Sequence, residues 1–270
     1  MDGTFETHSF PLPKVSIVDA QLIGDDILML ATSVGLYAFN LNTKRFTNES
    51  KLNAEVDLNN QPIKCITLSK DKHTLWIGTS GKNALIKQDL KAKQTTVFNT
   101  SSKLIPLIDN DVKIIYEDYT NNIWIGTTNG LQYVNPKTLL TTPFNSLNGF
   151  SNGNIAGILE GKDNIWVSTF DGLVKVDKKT QAVQTYYEID GLTHNEFNAK
   201  SYFKSSDNLF YFGGLNGVTS FNPSDIATKS KSYKIVLTDY QLYNEALEKN
   251  VSVKTLLDEG RDDKSVHDTV

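Results

Sequence analysis

The chain has 270 residues, of which 39% are hydrophobic and 21% charged, and its formal net charge is −4. This length and apolar content suffice to bury a substantial core, and the acidic balance argues against nucleic acid or an anionic membrane as the main partner. A single cysteine, Cys65, excludes an internal disulfide. Its apolar surroundings predict a buried, unreactive thiol. We find no apolar run long enough for a membrane span and no signal peptide in this sequence.

A short apolar unit recurs five times along the chain. It reads Leu-Trp-Ile-Gly-Thr at 75–79, Ile-Trp-Ile-Gly-Thr at 123–127 and Ile-Trp-Val-Ser-Thr at 165–169, with weaker copies at 28–32 and 210–214. The central positions are Met29, Trp76, Trp124, Trp166 and Tyr211. Their spacing matches the roughly 40–50 residues of a propeller blade. Because large aromatic side chains dominate core packing, we interpret these five as anchors between adjacent blades.

The third copy shows how each repeat divides into strands. Apolar or alternating stretches at 112–116, 123–126, 131–134 and 139–144 are separated by polar turns, one of which carries Asn129-Gly130. The pattern has no helix of useful length. It predicts an all-β, propeller-type array of about five four-stranded blades over residues 15–228, followed by a short C-terminal tail.

A distinctive polar segment, residues 190–198, lies between the fourth and fifth repeats and contains His194. Loops of this kind on a rigid scaffold often carry binding sites. The alternative, which we favour, is that the segment clamps the last blade through Leu192 and Phe197.

The repeat resembles a known family. Residues 122–131, followed by Asn-Pro-Lys-Thr at 135–138, are similar to the two-component-regulator propeller repeat of bacterial hybrid two-component sensors. Residues 190–223 resemble the closing blade of those sensors, and residues 233–244 resemble the first strand of the Y-Y-Y β-sandwich that follows it. The resemblance implies a periplasmic sensor region whose ligand is an oligosaccharide or another small extracellular molecule.

The chain departs from that family in its extent. The sensors resemble paired seven-bladed propellers joined to a sandwich, a membrane helix and a kinase, whereas this sequence has five repeats and the opening of the sandwich. We therefore expect residues 1–14 to be an outer strand left from a preceding blade, and residues 229–270 to be a truncated Y-Y-Y domain and disordered tail. Since the blades suit a wider ring, we expect five of them to form an open or imperfectly closed arc.

Motifs for catalysis or metal binding are lacking. The histidines are scattered, at His8, His73, His194 and His267, and no phosphate-binding loop, nucleophile elbow or dinucleotide fingerprint occurs. The stretches 109–111 and 213–217 are better interpreted as turns than as calcium or phosphate sites. We predict no cofactor, no metal and no catalytic residue.

Three functional hypotheses remain. The first is a ligand-sensing propeller that signals through a homodimer or through missing sensor segments; the second is a scaffold for a protein partner. The third is a carbohydrate-active enzyme using acidic residues such as Asp118, Glu160 and Asp171. For the first hypothesis the candidate ligand-binding residues at blade ends are Tyr119, Asn129, Phe170, Asp171, His194 and Asn216.

Overall fold

The computed structural model of the protein describes residues 5–145, 149–150 and 153–226. Within these ranges the chain forms five antiparallel sheets, each made of consecutive strands. The first sheet contains β1 (Ile17–Ile23), β2 (Ile27–Thr32), β3 (Gly35–Asn40) and β4 (Arg45–Asn48). The second contains β5 (Cys65–Leu68), β6 (Thr74–Gly78), β7 (Leu85–Asp89) and β8 (Thr95–Phe98).

The remaining three sheets repeat this order. The third contains β9 (Val112–Glu117), β10 (Ile123–Thr127), β11 (Leu131–Val134) and β12 (Thr141–Phe144). The fourth contains β13 (Ile155–Glu160), β14 (Asn164–Thr169), β15 (Leu173–Asp177) and β16 (Val183–Tyr186). The fifth has three strands in the described part, β17 (Phe197–Lys204), β18 (Phe210–Gly214) and β19 (Gly217–Phe221). Two single-turn 3₁₀ helices, Gly81–Asn83 and Glu188–Asp190, complete the regular elements of these ranges.

The turn between the third and fourth strands recurs with the same chemistry. It opens with Asn or Asp, whose side-chain oxygen accepts hydrogen bonds from the backbone N–H groups two and three residues later, as Asn135 does at 3.0 and 3.1 Å. It closes with a residue in the left-handed region, here Leu139 at φ 60°. That conformation ends the turn, so β12 begins at Thr141 rather than at residue 139 as predicted.

Side-chain alternation along the second strand of each sheet builds the core. Trp124 lies in a cluster with the fourth sheet, whereas its neighbours Ile123 and Ile125 lie in the cluster with Trp76 of the second sheet. Because successive residues of a strand point to opposite faces, each anchor packs toward the next sheet in chain order and its neighbours in the strand pack toward the preceding sheet. Met29, Trp76, Trp124 and Trp166 are all buried in this way, between sheets one to five in order.

Small residues beside the anchors let consecutive sheets approach. A Cβ at Gly126 would lie 2.7 Å from Cγ2 of Ile155, the first residue of β13. We call the first strand of each sheet its inner strand. At Gly126 the small residue near the anchor therefore lets its sheet come close to the inner strand of the next sheet.

The five sheets form a ring, which corrects the expectation of an open arc. Their inner strands line one central cavity, and Lys200 of the fifth sheet donates hydrogen bonds to Val18 O of the first sheet and Lys64 O beside the second, at 2.8 and 2.7 Å. Among the described residues, apolar clusters join the sheets from first to fifth in order, and the closing contacts from fifth to first are polar.

The chain ends lie apart from the predicted blade pattern. Residues 5–14 contain no strand and instead pack on the first sheet, with Phe10 4.8 Å from Tyr37 and 5.2 Å from Phe46 between ring centroids. The compact unit that holds the sheets ends at Ile226. The predicted Y-Y-Y segment and tail, 229–270, lie outside the described residues.

Candidate functional site

A central cavity of about 460 Å³ opens where the inner strands begin. All five sheets contribute to its wall. Ile63, Ile114 and Ile155 border it, although nearly all of their surface is buried in the apolar clusters between sheets. The strand directions place this mouth on the same face of the ring as the turns between second and third strands. We call this the upper face and the opposite one the lower face.

Three lysines lie at the cavity: Lys64, Lys113 and Lys200. The Lys113 ammonium donates to Asn154 Oδ1 at 2.6 Å. The Lys200 ammonium is held by the two backbone carbonyls that close the ring, and lies 3.9 Å from Asp19 Oδ2. The sheets therefore bring together positive charges that are far apart in sequence.

Two carboxylates lie near these lysines, and both are already hydrogen-bonded. Asp19 accepts from the N–H groups of Ala20 and Ile66, at 2.9 and 3.0 Å. Asp111 accepts from Ser80 Oγ at 2.6 Å and Thr128 Oγ1 at 2.8 Å. Burial raises the pKa of Asp111, but these hydroxyl bonds, with the charges of Lys64 and Lys113, outweigh it and hold that pKa below its usual range.

Burial also explains the behaviour of Cys65. Its side chain is buried at the start of β5, and desolvation raises the pKa of the thiol to about 12. The thiol is therefore protonated at neutral pH, which fits the predicted unreactive cysteine.

Five of the six candidate residues lie on the upper face. These are Asn129, Phe170, Asp171, His194 and Asn216. The Phe170 ring lies 5.8 Å from the Lys113 ammonium, and the Phe170 N–H donates to Asn154 O at 3.2 Å. Phe170 thus borders the lysine side of the mouth, whereas Asn129 and Asn216 lie exposed in their turns.

His194 has a largely structural environment. Its Nδ1 accepts the Glu196 N–H at 2.9 Å, and its Nε2 lies 3.8 Å from a Glu188 carboxylate oxygen. Leu192 and Phe197 of the same segment pack in the apolar cluster between the fourth and fifth sheets, with Phe197 fully buried. These contacts correspond to the clamp that the sequence favoured.

Tyr119, the sixth candidate, lies on the lower face. Its side chain is 64% exposed, and its ring is 4.5 Å from the Lys70 ammonium, with Lys178 and Lys204 at 5.9 and 5.7 Å. Cation–π contacts of this kind orient the ring. Glu160 balances part of the charge through a 2.7 Å contact with Lys178. The sequence candidates therefore do not form one site.

The acidic residues considered for catalysis have structural partners. Asp118 accepts hydrogen bonds from Thr120, Asn122 and the Trp124 Nε1, the last at 3.0 Å. Glu160 is fully buried and is bound by Tyr116, Tyr119 and Lys178. Asp171 lies on the opposite face of the ring from both, so the three carboxylates do not converge.

Sequence reasoning missed the three channel lysines. In the second sheet, the residue after Lys64 is Cys65, which pairs with Gly78, two places after the anchor Trp76. In the third sheet, the residue after Lys113 is Ile114, which pairs with Gly126, two places after the anchor Trp124. Lys64 and Lys113 therefore occupy the same position of the repeat. Aligning the inner strands by this pairing was the signal that could have found them.

Comparison with known proteins agrees with this architecture. Residues 106–129 match the family model of the two component regulator propeller. A 57-residue stretch is 39% identical to histidine kinase P4 of Formosa agariphila, covering 21% of this chain and 4% of that protein. The resemblance seen in the repeats is thereby confirmed.

Solved structures share the fold. The extracellular domain of the putative hybrid two component system BT3049 from B. thetaiotaomicron superposes with a TM-score of 0.69 at 21% identity, covering 88% of this chain and 32% of that one. Virginiamycin B lyase from Staphylococcus aureus superposes with a TM-score of 0.56 at 13% identity, covering 76% and 69%. The chain thus spans about a third of the sensor domain that it matches. The described residues contain no helix long and apolar enough to cross a membrane.

Proposed function

We propose that this two-component-regulator propeller is a ligand-sensing segment of a periplasmic hybrid two-component sensor, that its ligand is an oligosaccharide, and that it has no catalysis of its own. The observation that carries the proposal is the cavity at the channel mouth, to which all five sheets contribute. A volume of about 460 Å³ lies within the roughly 300–1,000 Å³ of small-molecule sites.

The position of the cavity is suited to sensing. A ligand there would touch the inner strands of several sheets at once, so its binding energy can favour one arrangement of the ring over another. The propeller would pass this preference to neighbouring sensor segments or to a second copy in a dimer.

Calorimetric titration of the whole chain against neutral and acidic oligosaccharides from plant, host and microbial glycans tests the proposal. Ala199 is exposed and lines the cavity, so Ala199→Trp should fill the mouth and abolish binding without removing a core contact. Leu215→Trp, in the exposed upper-face turn between β18 and β19 and outside the lining, is the matched control and should bind as the parent does. Equal binding by both variants would place the site elsewhere, and chain-dependent cleavage of a bound sugar would reveal an enzyme.

A protein-binding scaffold is the second candidate. It is favoured by the outer face of the fifth sheet, where Phe203 and Val218 are 62% and 57% exposed. Exposed apolar side chains of this kind often mark protein interfaces. A Phe203→Ser variant that lost a partner while keeping its sugar affinity would support this role.

A further inference from the structure

The channel mouth carries lysines at one repeated position of the inner strands. Aligned by their pairing with the second strands, the equivalent residues in sheets one to five are Val18, Lys64, Lys113, Ala156 and Lys200, and all five line the cavity. Three of the five sheets therefore place a lysine at the same strand position beside the channel.

These ammonium groups retain hydrogen-bonding capacity. Each carries three N–H donors. Lys113 uses one on Asn154, and Lys200 uses two on backbone carbonyls. Within the described residues the Lys64 ammonium makes neither a hydrogen bond nor an ion pair, so its donors face solvent at the mouth.

The neighbouring carboxylates leave an excess of positive charge. Asp19 and Asp111 are two negative groups against three lysines, and both are occupied by hydroxyl or backbone donors. The inner strands enclose the lysines in protein of lower polarisability than water, which strengthens their field. The mouth is thus cationic although the whole chain has a net charge of −4.

The lower face offers a useful contrast. Three lysines also surround Tyr119, but the Lys178 ammonium is paired with the buried Glu160 at 2.7 Å, and the Glu117 carboxylate lies nearby, where it accepts the backbone N–H of Lys70. The charge of that cluster is therefore partly balanced by its own acids.

We propose that the channel mouth binds an anionic sugar residue, a hexuronate or a sulfated hexose, whose carboxylate or sulfate accepts hydrogen bonds from Lys64, Lys113 and Lys200. The inference rests on the proposed function, because it assumes that an oligosaccharide binds at this mouth. It specifies the class of that ligand and the residues that select it. The Phe170 ring beside Lys113 offers an apolar surface for the rest of the sugar.

Titration of the whole chain with matched disaccharides tests the inference. The probes are digalacturonate, a sulfated galactose disaccharide, neutral digalactose and inorganic sulfate. We expect both anionic sugars to bind more tightly than digalactose, with affinity that falls as salt is raised. Lys64→Gln should weaken anionic-sugar binding about tenfold, since it removes one charge-assisted hydrogen bond.

Lys64 is the informative position because, in the described residues, its ammonium makes no hydrogen bond or ion pair and acts on Asp111 only through its charge, so its loss should leave folding intact. Lys113→Gln should show a similar loss, and Lys70→Gln on the lower face is the matched control that should bind normally. Neutral and anionic sugars binding equally, with no effect of Lys64→Gln, would overturn this inference and leave the proposed function standing. Binding of sulfate alone, or of no probe at all, would also overturn this inference, whereas only failure of the wider oligosaccharide panel would overturn the proposed function.

Discussion

Trp124 and Tyr211 occupy the same place in their sheets but have different neighbours. Trp124 is 2% exposed and lies in one apolar cluster with residues of the fourth sheet such as Ile155 and Ile158. Tyr211 is partly exposed, and the residues beside it on that face include Phe203, which is 62% exposed and lies 6.3 Å away between ring centroids. The same repeat position therefore contributes differently to the stability of the fold, depending on whether another sheet is packed against it.

The first sheet shows the complementary solution. Its backward face has no preceding sheet packed on it in the described structure, yet Leu30, Tyr37 and Phe39 are buried there. Phe10 and His8 from the segment before β1 cover these side chains, with His8 4.9 Å from Phe39. Apolar clusters thus join four pairs of consecutive sheets, and Lys200 joins the fifth sheet to the first. At this last junction the segment before β1 covers the apolar side chains of the first sheet, whereas those of the fifth sheet stay partly exposed.

Alanine substitution at the two equivalent anchors gives the largest expected contrast. Trp124→Ala should lower the free energy of unfolding by about 3–5 kcal/mol because it leaves a cavity between two sheets. Tyr211→Ala should cost about 1 kcal/mol or less, since the side chain is partly solvated. Urea denaturation of both variants measures the difference. Equal losses would show that the fifth sheet has a packed neighbour in solution.

The sequence predicted the internal junctions well and the closing one poorly. Alternation around Trp76, Trp124 and Trp166 is a local property of each strand, so it could be read without coordinates. Closure depends on where Phe10 and Lys200 lie after folding, and neither belongs to a repeated apolar pattern. The expected open arc was wrong for this reason.

For the candidate site, too, the sequence predicted the features that depend on local pattern and missed those that depend on the folded arrangement. Turn residues such as Phe170 were predicted to lie at blade ends, and the structure has Phe170 in such a turn, because turn positions follow from strand order. The channel lysines were missed because an inward-pointing lysine in a strand resembles a solvated one in sequence. Tyr119 was predicted to join the other candidates because a blade has turns at both ends, and the sequence pattern does not show which turns share a face.

The hydrogen bond beneath Trp124 gives a second, intermediate contrast. Asp118 accepts from Trp124 Nε1 at 3.0 Å and also binds Thr120 and Asn122. Burial raises the pKa of Asp118, but these bonds outweigh it and leave the pKa below its usual value. The carboxylate therefore stabilises the fold above its unfolded-state pKa of about 4, and this contribution is lost as pH falls through the folded-state value.

Asp118→Asn should accordingly cost about 2 kcal/mol at pH 7, because hydrogen bonds to a charged acceptor are the stronger ones. The difference from the parent should shrink as pH falls below about 4, where the carboxylate of the unfolded parent becomes protonated, and it should vanish below the lower pKa of the folded state. Denaturation curves measured across this pH range check both statements. A difference that stayed constant with pH would falsify the assignment of charge-dependent stabilisation to Asp118.

The fourth sheet lacks this bond, and restoring it is the smallest and sharpest test. Among the residues that the structure describes, Trp166 Nε1 is buried without a hydrogen-bond partner, and Gly161 stands where the third sheet has Asp118. A Cβ at Gly161 would meet Asn164 O at 3.5 Å and Trp166 Nε1 at 3.7 Å, both ordinary contacts. Gly161→Asp should therefore place an acceptor beside the indole and stabilise the protein by about 1 kcal/mol.

Gly161→Ala separates the two sources of that gain. Replacing glycine restricts the unfolded chain and alone stabilises by about 0.4–1 kcal/mol where the native backbone conformation suits other residues. The aspartate variant should exceed the alanine variant at pH 7, and the excess should disappear in acid as the new carboxylate is protonated. If the two variants were equally stable at pH 7, the turn of the fourth sheet, one residue shorter than that of the third, would hold the carboxylate out of reach of the indole.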